Sequence, residues 1–326
     1  MCKMKIDHCT NISLQDAINA VKDAAQAGYD RRVLSGIFLF DEFTQGLFPG
    51  ELCVIGARPA MGKTGFILSM ISNMLNDNIP TGLFTNDNMN VDYLSRIISC
   101  INHEPLPHGM IQQIEVLNKA EMKDVPLYLC SSSRLTLSCI KENLTRQVLD
   151  YGVKCAFIDS IQSVFNAEPS GNTDEVKNEI CKGLKNIAQD LKVPIVVTSL
   201  LNSAPKHRTK TNVDWAKPQI HDLPSASVFE DNADSVFLIH RPEYYCILKD
   251  EYGCDMRGKT IVVVPKNKNS SIGEFRVEYN SHNGTVYNIG ETPQTRQFGL
   301  KEFWANETVS QLTEKLDLEI LEDSTY

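Results

Sequence analysis

Long apolar runs, a secretion signal and closely spaced cysteines are all missing from this sequence of 326 residues. No stretch reaches the roughly 18 consecutive apolar residues that a membrane-spanning helix requires. Residues 1–8 lead directly into polar sequence, whereas a signal peptide would continue into an apolar segment. We therefore expect a cytoplasmic protein that has no membrane partner.

The 10 cysteines are scattered along the chain, and no Cys-x-x-Cys pair occurs among them. Cys53, Cys130 and Cys155 fall within apolar runs that are typical of strands, where a free thiol behaves as a small buried apolar group. Disulfides are also rare in cytoplasmic proteins. The cysteines are therefore predicted to be reduced and structural.

An excess of basic residues is lacking as well, because the formal net charge is −9. This balance argues against a surface that binds polyanions indiscriminately. It does not exclude DNA, since a ring-shaped assembly can concentrate basic groups in its bore while its outer face is acidic. The charge is therefore only a mild argument against a nucleic acid partner.

Apolar runs that are typical of strands alternate with helical patterns after the Pro49-Gly50 turn. This alternation indicates βαβ units, and hence an α/β fold with a mostly parallel, twisted sheet that has helices on both faces. Amphipathic helical segments are predicted at residues 65–75, 137–149 and 174–191. The predicted strands are residues 51–56, 82–85, 127–130, 154–158, 195–199, 235–240, 259–265 and 274–280.

Three regions are predicted from these elements. Residues 33–289 form the main domain, in which the last two strands make an antiparallel hairpin at the edge of the sheet. Residues 1–32 contain an apolar stripe over 13–27, which predicts a helix that either packs on its own domain or docks on a neighbouring subunit. Residues 290–326 are predicted to be a loosely attached, polar tail with one short helix near 308–316.

Residues 57–64 lie between a predicted strand and a predicted helix and match the phosphate-loop pattern, except that Ala57 stands at the first glycine position. In such a loop, backbone N–H groups and the N-terminus of the helix converge on the phosphates of a nucleotide. Gly62 allows close approach, Lys63 reaches the outer phosphates and Thr64 ligates Mg²⁺. We therefore predict that the chain binds ATP and Mg²⁺. The predicted nucleotide-binding residues are Ala57, Arg58, Pro59, Ala60, Met61, Gly62, Lys63, Thr64 and Gly65.

A second metal ligand is predicted at Asp159, which ends the apolar run Lys154-Cys155-Ala156-Phe157-Ile158. The carboxyl ends of parallel strands meet at one edge of a sheet, so this carboxylate is expected to lie beside Thr64. The alternative is an aspartate that only ends a strand at a turn. The phosphate loop upstream favours the metal role.

The run Ile55-Gly56-Ala57-Arg58-Pro59-Ala60-Met61-Gly62-Lys63-Thr64 closely resembles the phosphate loop of DnaB-type replicative helicases, in which Arg-Pro-x-Met-Gly-Lys-Thr is unusually specific. Similar segments follow in the family's order between residues 33 and 289, among them Ile158-Asp159-Ser160-Ile161-Gln162, His240-Arg241-Pro242-Glu243-Tyr244-Tyr245 and Lys266-Asn267-Lys268-Asn269.

The resemblance implies a RecA-like motor domain that assembles into a hexameric ring, with ATP at the subunit interfaces and single-stranded DNA in the bore. It implies nucleotide contacts for Arg241 and Lys266, and it favours the docking role for the helix at 13–27. The family's helical N-terminal domain is not expected in residues 1–32, so no primase-binding collar is expected either.

Several positions depart from the family at places that serve hydrolysis. The family's Phe-Ser-Leu-Glu-Met, whose glutamate polarises the attacking water, is Phe84-Thr85-Asn86-Asp87-Asn88-Met89 here. Asn88 cannot take a proton at neutral pH, and Asp87 can replace the glutamate only if the strand end is distorted, because neighbouring side chains of an extended chain point to opposite faces. Leu200 replaces the glutamine that senses the γ-phosphate, and Lys268 replaces the arginine that acts in trans, keeping its charge but losing the bidentate fork. Hydrolysis is therefore predicted to be weak.

The DNA-facing loops also depart from the family. Residues 166–174 contain no basic residue, and Pro224 stands where the family's Leu-Arg-Glu-Ser-Gly has its arginine. A bore that neutralises phosphates needs basic residues, because counterion release supplies most of the sequence-independent affinity. The nearby Lys206, Arg208 and Lys210 are either part of a solvated loop or a relocated loop that binds single-stranded DNA.

Two functions of different classes remain open. The first is a divergent, ATP-driven helicase or translocase subunit from a phage or mobile element. The second is a nucleotide-binding ring or scaffold protein that has kept the ATP pocket and lost efficient hydrolysis. A KaiC-like or RadA-like relative of RecA shares the fold but accounts less well for Arg58-Pro59 and Arg241-x-Glu243-Tyr244-Tyr245. We favour the first, with weak ATPase activity.

Overall fold

The computed structural model describes residues 32–86, 91–107, 109–120, 122, 124–168, 173–202, 217–250 and 252–289, together with Leu14, Gln15 and Asn19. The chain divides into two compact units, residues 1–32 and 33–326. In the first unit Leu14, Gln15 and Asn19 are helical, and Gln15 Nε2 donates a hydrogen bond to Asn19 Oδ1 at 3.1 Å. Most of the helix predicted at 13–27, and all of the tail at 290–326, lie outside the described residues.

The second unit is an α/β fold on one mixed sheet, as the sequence predicted. Its strands are β1 (Leu52–Ala57), β2 (Thr81–Thr85), β3 (Leu127–Ser131), β4 (Cys155–Asp159), β5 (Ile195–Leu200), β6 (Ser235–His240), β7 (Lys259–Asn267), β8 (Gly273–Asn280) and β9 (Thr285–Tyr287). Within the described residues the sheet has the order β3-β2-β4-β5-β1-β6-β7-β8-β9. Neighbours from β3 to β6 are parallel, and those from β6 to β9 are antiparallel.

Helices cover both faces of this sheet. They are α1 (Phe38–Thr44), α2 (Lys63–Asn76), α3 (Val91–Ile101), α4 (Met110–Lys119), α5 (Leu137–Tyr151), α6 (Ile161–Ala167), α7 (Asp174–Leu191) and α8 (Ala226–Asn232). Alternate residues of β1 point to opposite faces, so Cys53 and Ile55 enter the core shared with α1, α2 and α3, while Leu52 and Val54 enter the core shared with α5 to α8.

The helix α2 carries the phosphate loop at its start and is buried along almost its whole length. Its predicted amphipathic pattern does not leave a solvated face, because the sheet covers one side and α3 and β9 pack on the others. The polar side chains find partners inside the protein: Ser69 Oγ accepts from Val286 N at 2.8 Å, and Asn73 Nδ2 donates to Ser35 O at 3.0 Å. The middle and the last turns of α2 are therefore tied to β9 and to the segment before α1.

The predicted strands agree with the structure to within two residues at each end. The predicted two-stranded hairpin is incomplete, because β9 adds a third antiparallel strand beyond β6. A strand of three residues is too short to produce a recognisable alternation in the sequence. None of the described helices is long and apolar enough to cross a membrane.

Candidate nucleotide site

The loop at residues 58–62 connects the end of β1 to the start of α2. Ala57 is the last residue of β1 and pairs in register with Leu200 and Ile239. Its backbone is therefore extended, a conformation that does not require the glycine usual at this position. Pro59 and Ala60 are exposed at the tip of the loop, and the sequence departure at Ala57 leaves the strand intact.

Two glycines in and after the loop allow close packing by the last strands. Gly62 has a φ of 88°, and a Cβ there would lie 3.1 Å from Cε2 of Tyr279. A Cβ at Gly65 would lie only 2.0 Å from the backbone oxygen of Gly284. These positions therefore need glycine, Gly62 for its left-handed backbone and Gly65 for space.

Thr64 and Asp159 come together as the sequence predicted. The hydroxyl Oγ1 of Thr64, in the first turn of α2, donates to Asp159 Oδ2 at 2.8 Å. The other carboxylate oxygen, Oδ1, accepts from Thr198 Oγ1 at 2.6 Å. A hydroxyl and a carboxylate are hard oxygen ligands of the kind that Mg²⁺ prefers. The pair is therefore chemically suited to Mg²⁺ beside the phosphates.

Lys63 is the first residue of α2 and lies beside this pair. Burial lowers the pKa of its ammonium group, and the negative charge of Asp159 opposes that shift. A lysine that has lost part of its hydration interacts more strongly with an incoming phosphate, because the local dielectric constant is low. Lys63, Thr64 and Asp159 thus form one compact group at the carboxyl edge of the sheet.

Arg58 points away from solvent although it belongs to the loop. It is 5% exposed, and its guanidinium donates to Asp222 Oδ2 at 3.4 Å and to the hydroxyl of Tyr245 at 3.3 Å. Met61, also buried, donates from its backbone N to Arg58 O at 3.3 Å. In this structure Arg58 anchors the loop to the protein, and its contact with a nucleotide stays a prediction.

Arg241 lies at the same edge, directly after β6. Its guanidinium carbon is 3.8 Å from the centre of the Tyr279 ring, and it is ion-paired with Glu243. Glu243 Oε2 also accepts from Gly258 N at 2.8 Å, which fixes the arrangement. Because Tyr279 also packs on Gly62, a stacked arginine and tyrosine stand next to the phosphate loop.

Leu200, which replaces the expected glutamine, ends β5 and is 38% exposed. Its backbone N donates to Gln162 Oε1 at 3.2 Å, and Gln162 Nε2 donates to Ser199 Oγ at 3.0 Å. The side chain of Gln162 therefore ties α6 to the end of β5. At position 200 itself the edge presents an apolar side chain.

Lys266 and Lys268 are not brought to the phosphate loop. The end of β7 pairs with the start of β6, and Asn267 lies opposite Ser235, which is itself in register with Cys53 near the start of β1. The six residues of β1 separate the two ends of the sheet by about 20 Å. Neither lysine can therefore reach a phosphate bound at the loop of the same chain.

Several predicted site residues lie outside the described residues. They are Asp87, Asn88, Lys206, Arg208 and Lys210. The described residues stop at Asn86, just after β2 and before Asp87 and Asn88. On the neighbouring strand β3, Ser131 lies opposite Thr85 of β2. The roles assigned to these five residues stay predictions.

Sequence reasoning missed Thr198 and Tyr279. Thr198 is two residues before the altered position Leu200, and it meets Asp159 only because β5 is the neighbour of β4. Tyr279 is one aromatic residue in an edge strand, where packing is its ordinary role. No sequence pattern pointed to Tyr279. For Thr198 the only signal was its proximity to the family motif that contains Leu200.

The fold and this site are those of a RecA-like domain with a phosphate loop. A family model described as the DnaB-like helicase C terminal domain matches residues 33–288, and the chain belongs to this family.

A replicative DNA helicase DnaB of Leifsonia xyli subsp. xyli is 27% identical over 266 residues, which are 79% of this chain and 55% of that protein. The chain thus spans about half the length of this curated relative. A solved structure of a DnaB-like replicative helicase, described with its interactions with primase, has a TM-score of 0.67 at 20% identity and covers 86% of this chain and 67% of that chain. A solved ATPase domain has the same TM-score and identity, covering 86% of this chain and 99% of that chain. These structures share the fold.

Proposed function

We propose that this chain is an ATP-binding, DnaB-like helicase or translocase subunit that acts on single-stranded DNA as a ring and hydrolyses ATP weakly. The observation that carries the proposal is the hydrogen bond of 2.8 Å between Thr64 Oγ1 and Asp159 Oδ2 beside Lys63. It joins a phosphate loop to an acidic strand end, as nucleotide chemistry requires. Membership of the DnaB-like family agrees with it.

ATP would lie with its phosphates on the loop and its base near the Arg241–Tyr279 pair. Backbone N–H groups of residues 60–65 and the Lys63 ammonium would hold the phosphates. Thr64 and Asp159 would hold Mg²⁺, which shields the phosphate charge when it is bound. A guanidinium that stacks on a tyrosine at 3.8 Å provides flat surfaces for a purine, which supports base binding there.

The position of Lys266 and Lys268 supports a ring. Both lie at the edge of the sheet opposite the phosphate loop, so a nucleotide that they serve must belong to another subunit. The exposed face of α4 offers a further contact for a second copy of this chain. No residue of α4 is buried, and Met110 and Ile111 are 68% and 77% exposed. We propose six subunits, as the family resemblance implies.

Weak hydrolysis is proposed because three positions that would serve the reaction have changed. Leu200 cannot form a side-chain hydrogen bond, and Gln162 is already bound to Ser199 and to the backbone of Leu200. Lys268 keeps one positive charge without the fork of an arginine. Asn88 cannot act as a base. We assign DNA contact to Lys206, Arg208 and Lys210 because they form a closely spaced basic cluster soon after β5.

The second candidate is a scaffold that binds ATP without using it to move DNA. The half-exposed side chain of Leu200 favours it, because an apolar group at the end of β5 cannot report the γ-phosphate to the segment that follows. This candidate predicts nucleotide-dependent assembly without turnover.

The rate of ATP hydrolysis with and without single-stranded DNA distinguishes the two functions. The proposal predicts that DNA raises turnover and that Asn88→Glu raises it further, whereas a flat response to both establishes the scaffold. Protection from thermal unfolding by ATP–Mg²⁺ tests the site itself, because ligand binding stabilises the folded state. Lys63→Ala should abolish this protection. Lys141→Ala, which removes a lysine that is 62% exposed on α5, is the matched control and should keep it.

A further inference from the structure

Asp234 joins three parts of the chain at the edge of the sheet opposite the phosphate loop. Its carboxylate is 8% exposed. Oδ2 accepts from Leu52 N at 2.8 Å and from Lys185 Nζ at 2.5 Å, while Oδ1 accepts from Lys268 Nζ at 3.2 Å. Lys268 N also donates to Asp234 O at 3.0 Å. One buried carboxylate thus holds the lysine that replaces the family's trans-acting arginine.

The carboxylate stays ionised in this environment. Burial would raise the pKa of Asp234, but the hydrogen bonds from Lys185 and from the backbone of Leu52 outweigh it and keep that pKa below its ordinary value. An ionised Asp234 that faced Lys268 alone would cancel the charge of that lysine. Lys185 therefore decides how much positive charge Lys268 presents to its surroundings.

Lys268 is placed so that it can use this charge outside its own subunit. Its side chain is 59% exposed. An ammonium group carries three N–H donors, and the bond to Asp234 uses one of them. Lys268 can therefore stay on Asp234 and still donate to a phosphate that approaches from solvent.

The surrounding charges are nearly balanced, so a lysine that is hydrogen-bonded to Asp234 matters more to Lys268 than one that only lines the cavity. Among the described residues, the cavity of about 410 Å³ next to Lys268 and the neighbouring Glu51 carry four lysines and three carboxylates. Glu51 binds Asn269 at 3.1 Å through both of its oxygens. The lysines are Lys182, Lys185, Lys266 and Lys268.

We propose that Lys185 is a positioning residue for the reaction in trans: it neutralises Asp234, so that Lys268 keeps its positive charge for the phosphate of the neighbouring subunit. This inference rests on the proposed function, in which Lys268 serves that phosphate. Lys185 also donates to Gly50 O at 2.7 Å and so ties α7 to the turn before β1. If Lys185 had only a structural role, its replacement would break this hydrogen bond and lower the stability of the protein.

The test compares charge variants in two measurements. The first is the ATP–Mg²⁺ concentration at which ring formation, followed by a mass measurement, is half complete. The second is kcat for ATP hydrolysis. Lys185→Met should raise that concentration and lower kcat, each by about fivefold, because a partly exposed ion pair has an effect of this order. The double variant Lys185→Met/Asp234→Asn should restore both values, since it removes the carboxylate together with its neutralising lysine. Lys182→Met is the matched control: it removes a lysine from the same helix and cavity and should change neither value by more than about twofold.

Removing both partners of a buried ion pair can also restore stability, so the single variant Asp234→Asn separates the two roles. The proposal requires this variant to assemble at the wild-type ATP concentration or a lower one, whereas a purely structural pair predicts that it is impaired like Lys185→Met. A double variant that is as impaired as Lys185→Met, or a Lys182→Met variant that is equally impaired, overturns the proposal. If Lys185→Met does not fold, Asp234→Asn alone decides: it must assemble at the wild-type ATP concentration or a lower one, and a higher one overturns the proposal. Lys268→Ala separates a failure of the proposed trans role from a failure of the inference about Lys185. Wild-type assembly and kcat in Lys268→Ala would refute the trans role itself. An impaired Lys268→Ala together with a normal Lys185→Met would refute only the inference about Lys185.

Discussion

Thr198 is the residue whose change tests the proposed metal site most directly. It is fully buried, and its hydroxyl donates to Asp159 Oδ1 at 2.6 Å while Thr64 donates to Oδ2 at 2.8 Å. The bond from Thr198 orients the carboxylate from the side of β5 and leaves Oδ2 to face Thr64. In the proposed metal site, Thr198 would therefore act on the metal through Asp159.

Thr198→Val replaces the hydroxyl with a methyl group of nearly the same size, so the packing of β5 is kept and the hydrogen bond is lost. A hydrogen bond to a charged group contributes about 1.5–3 kcal/mol to stability. Loss of a residue that orients a metal ligand weakens metal binding by about 10- to 100-fold. We therefore expect the Mg²⁺ concentration needed for half-maximal protection by ATP to rise by at least about tenfold.

The assay is thermal unfolding at a fixed ATP concentration while Mg²⁺ is titrated. Thr198→Ser keeps the hydroxyl and is the matched control, with a Mg²⁺ requirement close to that of the wild type. If Thr198→Val folds and its half-maximal Mg²⁺ concentration equals that of the wild type, then Thr198 does not orient Asp159 for the metal and the reasoning is refuted.

Three further predictions concern other parts of the domain. Gly65→Ala should lower Tm by several degrees, about 2–4 °C per kcal/mol, because the new Cβ would lie 2.0 Å from the backbone oxygen of Gly284; Gly183→Ala meets only the end of a leucine side chain, and an equal loss there would contradict this explanation. Tyr279→Ala should weaken ATP binding about fivefold or more, because stacking on a base contributes about 1–3 kcal/mol. The binding of inorganic triphosphate should stay unchanged. Calorimetric titration with both ligands checks this prediction, and equal weakening of both would mean that Tyr279 only supports the loop. His240 is buried, and burial together with the charges of Arg58 and Lys217 lowers its pKa to about 3; the unfolded chain binds a proton near pH 6.5 that the folded chain does not, so stability falls as pH falls below 6.5. Between pH 7 and pH 5 the wild type should lose about 2 kcal/mol more than His240→Phe, measured by denaturant unfolding, and parallel losses would refute the assignment.

The periodicity of the sequence determined the fold class and most of the strands. Apolar runs of strand length mark β1, β4, β5 and β6 because parallel strands are buried on both faces, and such runs are hard to mistake. The phosphate loop was also evident from the sequence alone, since its chemistry depends on residues that are contiguous in the chain. The pairing of Thr64 with Asp159 followed from one rule, that parallel strands end at the same edge.

Other features depended on which strands are neighbours, and local periodicity does not contain that information. Thr198 meets Asp159 because β5 lies beside β4, and Tyr279 meets Gly62 and Arg241 because the antiparallel strands return across the start of α2. Arg58 was predicted from the motif to line the nucleotide, but only the tertiary structure placed its guanidinium against Asp222.

The two ends of the sheet give the clearest division between sequence and structure. The motif around Lys268 suggested a cation that acts in trans, and the antiparallel course of β7 placed it about 20 Å from its own phosphate loop. Asp234 is hydrogen-bonded to Lys268 and to Lys185, which are 34 and 49 positions away from it in the sequence. The sequence alone therefore predicted the type of site and its ligand chemistry, because contiguous residues encode them. The balance of charge around Lys268 was decided only by the tertiary structure, because it depends on side chains that distant segments bring together.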